Sequence, residues 1–214
     1  MSTCSGTYRP VKTKHRYHHG NLRQALIDEA VDLIEERGVP ALTLREVSRR
    51  AGVTHAAPQR HFEDRAALVA AVAEQGFRGL RQHIEAVRAS APSRSPSQRL
   101  RALGIGYVEY ALAHPAHLRV MFSAEVPDKT RHPGLAAAAQ AVHETLVAQI
   151  EEAQRRGAVA PGDPEMLSFA AWSMVHGCAV LLIDGQARGR SARALTEAVV
   201  DRLHLGLAPR PRAR

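Results

Sequence analysis

Apolar residues recur at helical spacing along most of the chain. Leu22, Leu26, Ala30 and Leu33 fall on one stripe, widened by Ile27 and Ile34, the 3.6-residue period of a helix facing a core. Asn21 with Gln24 three residues later resembles a capping box, and Gly38 supplies the stop. A shorter helix follows, in which Thr43 and Glu46 form a T-x-x-E capping box, Leu44 and Val47 face inward, and Gly52 ends the run. His55 to Phe62 predicts a third short helix. A fourth is expected from about Asp64 to Val87, with Leu68, Val69, Val72 and Leu80 as its apolar positions.

The segment A-P-S-R-S-P-S from Ala91 to Ser97 reads as a loop. Helical patterns follow at about 98–113, 115–123, 134–157, 164–185 and 192–206. They are separated by His114-Pro115, Pro127-Asp128, Gly157 with Pro161-Gly162, and Gly185 through Gly189. No stretch alternates with period two, and there is neither a hairpin signal nor an internal repeat. The expectation is an all-α protein of about nine helices.

Composition narrows the class. The chain has 214 residues, 45% of them apolar, so it can build a core and is not a wholly disordered basic protein. The longest apolar run, Val175 to Ile183, is broken by His176 and Gly177 and is short of the ~18–20 residues of a membrane span. The basic N-terminus has no apolar stretch behind it, which argues against a secretory signal. Cys4 and Cys178 lie far apart and suggest neither a disulfide nor a metal framework. A cytoplasmic protein without membrane association or cofactor is expected.

Net charge is +8, and its placement is more informative than its sum. Only Lys12, Lys14 and Lys129 are lysines; the remaining cations are Arg, as GC-rich coding would also produce. Residues 1–21 carry Arg9, Lys12, Lys14 and Arg16 with no acid, whereas 22–65 hold seven cations against eight acids. Residues 66–187 are balanced at eleven of each, and the last 27 residues carry seven cations against two acids. The first run is a candidate nucleic-acid arm, and the last reads as a solvated tail.

Residues 43–62, T-L-R-E-V-S-R-R-A-G-V-T-H-A-A-P-Q-R-H-F, have the layout of a helix-turn-helix. Val47, Ala51, Val53 and Phe62 are placed to meet under the Leu26–Leu33 stripe, and Gly52 supplies the freedom a sharp turn demands. The exposed face of the third helix is then available to a DNA major groove. Any αα corner imitates this pattern, but the context is more specific. H-H-G-N-L-R-Q-A-L-I-D-E-A-V-D-L-I-E-E-R-G, then L-T-L-R-E-V-S-R-R-A-G-V-T, then R-H-F-E-D-R-A-A-L-V-A-A-V closely resemble the DNA-binding domain of the tetracycline-repressor (TetR) family. The match spans residues 18–73.

This resemblance implies a homodimeric repressor that leaves a palindromic operator when a small-molecule effector binds. It divides the chain into a basic flexible arm (1–20), a helix-turn-helix domain (21–66), a helical effector-binding and dimerisation domain (67–207) and a disordered basic tail (208–214). Thr43 and Thr54 sit at helix N-termini, where amides and hydroxyls favour phosphate. Arg45 is expected along the backbone. His55, Ala56, Ala57 and Gln59 form the groove-facing set, the alanines suiting close approach and thymine-methyl contact. Arg60 and His61 are candidate phosphate ligands, and Arg65 resembles the family's basic phosphate contact. Lys12, Lys14 and Arg16 are placed to enter the minor groove or follow the backbone of double-stranded DNA. A metal site at His15, His18 and His19 lacks carboxylate or Cys partners.

The chain departs from the family at Pro58 and Gln59, where a Leu or Ile and a Tyr are usual. Pro58 removes an amide hydrogen bond, so a distorted or shifted first turn is expected. Gln59 either replaces the lost Tyr at phosphate or reads adenine, and the sequence leaves both open.

Farther on, A-A-W-S-M-V-H-G-C-A-V-L-L-I-D-G resembles the Trp-x-x-x-His-Gly signature of one TetR-type C-terminal subgroup. Trp172 and His176 share a helix face, and Gly177 would let another helix approach. Tyr110, Met121, Trp172 and His176 are candidate effector-pocket residues, with ordinary core packing the competing reading. Leu181, Leu182, Leu195, Val199 and Leu203 are candidates for a dimeric four-helix interface, against intrachain packing. There is no G-x-S-x-G, H-E-x-x-H or phosphate-cradling loop, so an enzyme is not expected. A non-specific helical DNA-coating protein shares the charge but predicts no defined operator.

Overall fold

The computed structural model describes residues 21–90 and 95–209, and among them there is no strand. Eight α-helices follow one another: α1 Leu22–Arg37, α2 Leu44–Ala51, α3 Arg65–Ser90, α4 Pro96–Ala113, α5 Pro115–Met121, α6 Pro133–Arg155, α7 Pro164–Ile183 and α8 Ala192–Leu207. The expected ninth, over His55–Phe62, is instead a turn followed by the 3-10 helix Pro58–Arg60.

The helix boundaries follow local chemistry. Asn21, Thr43, Ser95, Asp163 and Ser191 each accept a hydrogen bond from a first-turn amide. Proline opens α4, α5, α6 and α7, where its missing N–H costs nothing. Neither predicted capping box closes reciprocally. The Gln24 side chain donates to Asp28, and the Glu46 carboxylate turns to Arg49 and Arg50.

One continuous buried cluster runs from Leu26 on α1 to Leu207 on α8. Leu26, Leu33 and Ile34 of α1 pack with Val47, Phe62 and Leu68, all at most 2% exposed. The long α3 continues from this N-terminal unit into the rest of the molecule, where α4, α5 and α6 pack along it. Two crossings depend on glycine. A Cβ on Gly79 would lie 2.5 Å from the Tyr110 hydroxyl, and one on Gly76 would lie 2.6 Å from the Met121 sulfur. Helix α5 also reaches back to α1, joining the two parts a second time.

Helix α7 runs unbroken through His176 and Gly177, within the span of the helical pattern at 164–185. By length and composition alone it could cross a membrane, with a mean hydropathy of 1.8 over 18 residues. Its Ala171, Val175, Cys178 and Ala179 side is buried in the core, and the helix packs on α4, α6 and α8.

Candidate DNA-binding face and effector cavity

The N-terminal helices present one polar face. Gly52 ends α2 in the left-handed region at φ 68°, and the Val53 amide donates to the Ser48 carbonyl at 3.0 Å. The following chain makes one tight turn, Ala57 N–H to the Thr54 carbonyl at 3.0 Å. Pro58 has no N–H to extend that turn into an α-helix, and it is itself buried. The chain tightens into the 3-10 helix, then closes with His61 and Phe62 amides both donating to the Pro58 carbonyl at 2.8 Å. The distortion therefore affects the whole expected recognition helix, not its first turn alone.

This geometry exposes Thr43, Arg45, Thr54, His55, Ala56, Gln59, Arg60 and His61 and leaves Ala57 half-buried. Arg45 and Arg60 make no ion pair among the described residues. Their neighbours differ: Arg49 binds Glu46 at 2.7 Å, and Arg50 binds Glu36 at 2.5 Å. The hydrogen bond from Arg49 holds the Glu46 carboxyl down at about 2, well below the usual carboxylate range. Arg49 is thus engaged within α2 and Arg50 between α2 and α1, apart from the cations left open to a polyanion. Lys12, Lys14 and Arg16 lie outside the described residues.

Arg65 has a placement the sequence did not indicate. Its Nε donates to the Leu42 carbonyl at 2.6 Å and its Nη2 to the Val39 carbonyl at 2.9 Å. The same Nη2 pairs with Glu125, just beyond α5. The guanidinium ties the start of α3 to the α1–α2 connection and to the C-terminal helices, so those donors are not directed to a phosphate in this conformation.

A cavity of about 310 Å³ lies among α3, α4, α6, α7 and α8. Phe77, Tyr107, Phe122, Phe169 and Trp172 line it, five of the nine aromatic side chains in the chain. Phe122 links this wall, edge-on to Phe77 at 5.6 Å and tilted on Trp172 at 5.5 Å. Trp172 Nε1 donates to the Tyr107 hydroxyl at 3.4 Å, and that oxygen is 2.8 Å from His176 Nδ1. With the indole donating, the hydroxyl proton is free to bond Nδ1. Burial pushes the Tyr107 pKa upward and lowers that of His176. At the cavity edge His143 Nε2 meets Glu165 at 2.8 Å, and Lys129 Nζ stands 5.5 Å from the Phe77 ring centroid.

Of the expected pocket residues, Trp172 is in the wall and His176 stands behind it on Tyr107. Tyr110 and Met121 are corrected: neither lines the cavity, because each is taken up where α3 crosses α4 or α5 at a glycine. Leu203 is likewise corrected, since it is 7% exposed and lines the cavity. Leu182 is half-buried against the core, Leu195 and Val199 are half-buried, and Leu181 is 57% exposed. Leu181 belongs to an outward apolar stripe on α7 with Met166, Phe169, Met174 and Val180, and α8 adds Leu205. Among the described residues a Cβ on Gly177 would meet nothing within 4 Å. The stripe was not legible because α7 is apolar on both sides, which removes the periodic contrast.

Comparison with known proteins agrees with this architecture. Residues 26–72 match the profile of bacterial regulatory proteins of the tetR family. Residues 100–203 match that of the tetracyclin repressor-like C-terminal domain. A solved structure of a protein with unknown function from Rhodococcus sp. RHA1 is 35% identical, with a TM-score of 0.80, covering 92% of this chain and 100% of that one. The TetR family transcriptional regulator PfmR from Thermus thermophilus is 19% identical, with a TM-score of 0.69 over 86% of this chain and 99% of its own. A tetR-family regulatory protein from Rhodococcus RHA1 is 17% identical, with a TM-score of 0.73 over 88% and 97%. No match was found among curated proteins. The two family profiles fall on the two parts of one helical core, the polar N-terminal face and the cavity-bearing bundle, and the chain belongs to the TetR family of DNA-binding transcriptional regulators.

Proposed function

We propose that this chain is a ligand-responsive repressor that acts in the cytoplasm as a homodimer on a near-palindromic operator. The observation that carries the reading is the exposed polar set Thr43, Arg45, Thr54, His55, Gln59, Arg60 and His61, with Arg45 and Arg60 in no ion pair among the described residues, presented by the same core that holds an aromatic-lined cavity. Thr43, Arg45, Thr54, Arg60 and His61 hold the phosphate backbone, while His55, Ala56, Ala57 and Gln59 face the major groove. Lys12, Lys14 and Arg16 add a basic arm in the adjacent groove. The outward stripe of α7 supports dimerisation: Met166, Met174, Val180 and Leu181 flank the open position at Gly177, where a second helix can approach closely. A two-fold dimer places its two readers about one DNA turn apart. An effector in the cavity releases DNA if it binds better to the conformation whose spacing no longer matches.

Selection of binding sites from random duplexes by the purified protein tests this. A palindromic consensus bound far more tightly than random duplex at physiological salt is expected. Equal binding to both would refute a sequence-specific regulator and favour non-specific coating.

A further inference from the structure

We propose that the cavity takes a small aromatic acid, its ring system against the aromatic wall and its anionic group at the rim on Lys129. This rests on the effector-site reading above and specifies the ligand's chemistry. Size comes first. At about 310 Å³ the cavity is at the small end of ligand sites, which suits a molecule of two or three rings.

Shape and polarity come next. The wall concentrates most of the aromatic surface of a chain that is only 4% aromatic. Phe122 stands between Phe77 and Trp172, and Phe169 meets Trp172 at 6.0 Å. Flat, edge-and-face surfaces of this kind favour a planar partner. The polar groups inside this wall, Tyr107 and Trp172, are already bonded to each other and to His176, so the interior asks for no charged group.

Charge is settled at the rim. Two side chains bearing formal charge line the cavity, Lys129 and Glu165. Glu165 is engaged by His143 at 2.8 Å. Lys129 has no ion pair among the described residues and faces only the Phe77 ring. It is exposed, so an anion meeting it keeps part of its hydration and avoids the cost of burying a charge in the apolar interior. In a chain whose other described cations are all arginine, this single lysine lies at the cavity.

Calorimetric titration with 2-naphthoate, neutral 2-naphthamide and cationic 2-naphthylmethylammonium tests the assignment on the full chain, with and without operator DNA. Naphthoate is expected to bind about two- to fivefold tighter than the amide, the range of an exposed ion pair, with the preference shrinking as salt rises. Lys129→Gln should remove the preference by weakening the acid more than the amide. Equal affinity for acid and amide, no effect of Lys129→Gln, tightest binding of the ammonium, or no binding of any probe would each overturn the proposal. Its failure is separable from that of the effector reading. If the amide binds and releases operator as well as the acid, the effector reading stands and the acid class falls. If the acid binds with its Lys129-dependent preference but operator affinity is unchanged, the ligand class stands and the effector reading falls.

Discussion

Replacing Arg65 by Met removes the guanidinium and keeps an apolar stem. Two backbone carbonyls, of Leu42 and Val39, then lose a charged donor, and Glu125 loses its cation. Leu42 is 0% and Val39 6% exposed, so water replaces the donor poorly. Hydrogen bonds to charged groups are worth about 1.5–3 kcal/mol each when well buried. The Arg65 and Glu125 side chains are 36% and 30% exposed, which reduces the ion pair to at most about 1 kcal/mol and weakens the two bonds as well. A total loss of about 2–3 kcal/mol is expected, or roughly 5–10 °C in Tm for a chain of this size. Chemical and thermal denaturation at one fixed protein concentration measure it, because the Tm of a dimer, as proposed, depends on concentration. Arg65→Lys should recover little, since a single ammonium cannot reproduce the fork that reaches both carbonyls. A change below about 0.5 kcal/mol for Arg65→Met would refute the bracing role. The salt dependence of operator binding separates the two roles of Arg65. A lost phosphate contact lowers the log–log slope by about 0.9, whereas a lost brace leaves the slope unchanged.

Acid should weaken the fold through His117, which is 8% exposed and whose pKa burial lowers to about 4, with a smaller push from His114 and opposition from Asp28. Because the unfolded imidazole takes its proton near 6.5, this contribution is intact above that pH and declines as pH falls toward 4, by about 2 kcal/mol at pH 5. Unfolding free energies of wild type and His117→Gln at pH 7 and 5 check it; equal pH dependence in the two would contradict the assignment. Gly79→Ala should cost about 1–3 kcal/mol, since its methyl would lie 2.5 Å from the Tyr110 hydroxyl and 3.1 Å from its ring. Urea denaturation measures this, and an unchanged midpoint would mean that α3 and α4 can shift freely. Leu181→Glu, in the outward stripe, should shift the protein toward monomer with secondary structure intact, read by sedimentation and circular dichroism. A dimer of unaltered affinity would place the interface elsewhere.

Helix-by-helix order was legible because each boundary is a local event. Asn21, Thr43 and Ser191 cap their helices, prolines open four others, and Gly157 and Gly185 mark stops, both with positive φ. The Leu26–Leu33 stripe was legible for the same reason, since a periodic contrast between apolar and polar positions names its own buried face. Pro58 shows where local reasoning weakened. One missing amide was foreseeable, but burial of the proline ring and the collapse of the segment to a 3-10 turn depend on what packs beneath it.

The sequence alone determined the all-helical class and the helix order, because propensity, caps and periodicity act within a few residues. Tertiary structure decided the direction of α7, the inward turn of Leu203, the gathering of five aromatic rings from α3, α4, α7 and the end of α5, and the commitment of Arg65 to Leu42, Val39 and Glu125. These are contacts between residues far apart along the chain, and no local pattern encodes which distant partner a side chain meets. The two-sided apolarity of α7 is the clearest case: one side serves the core, and only the packed neighbours reveal which side is left outside.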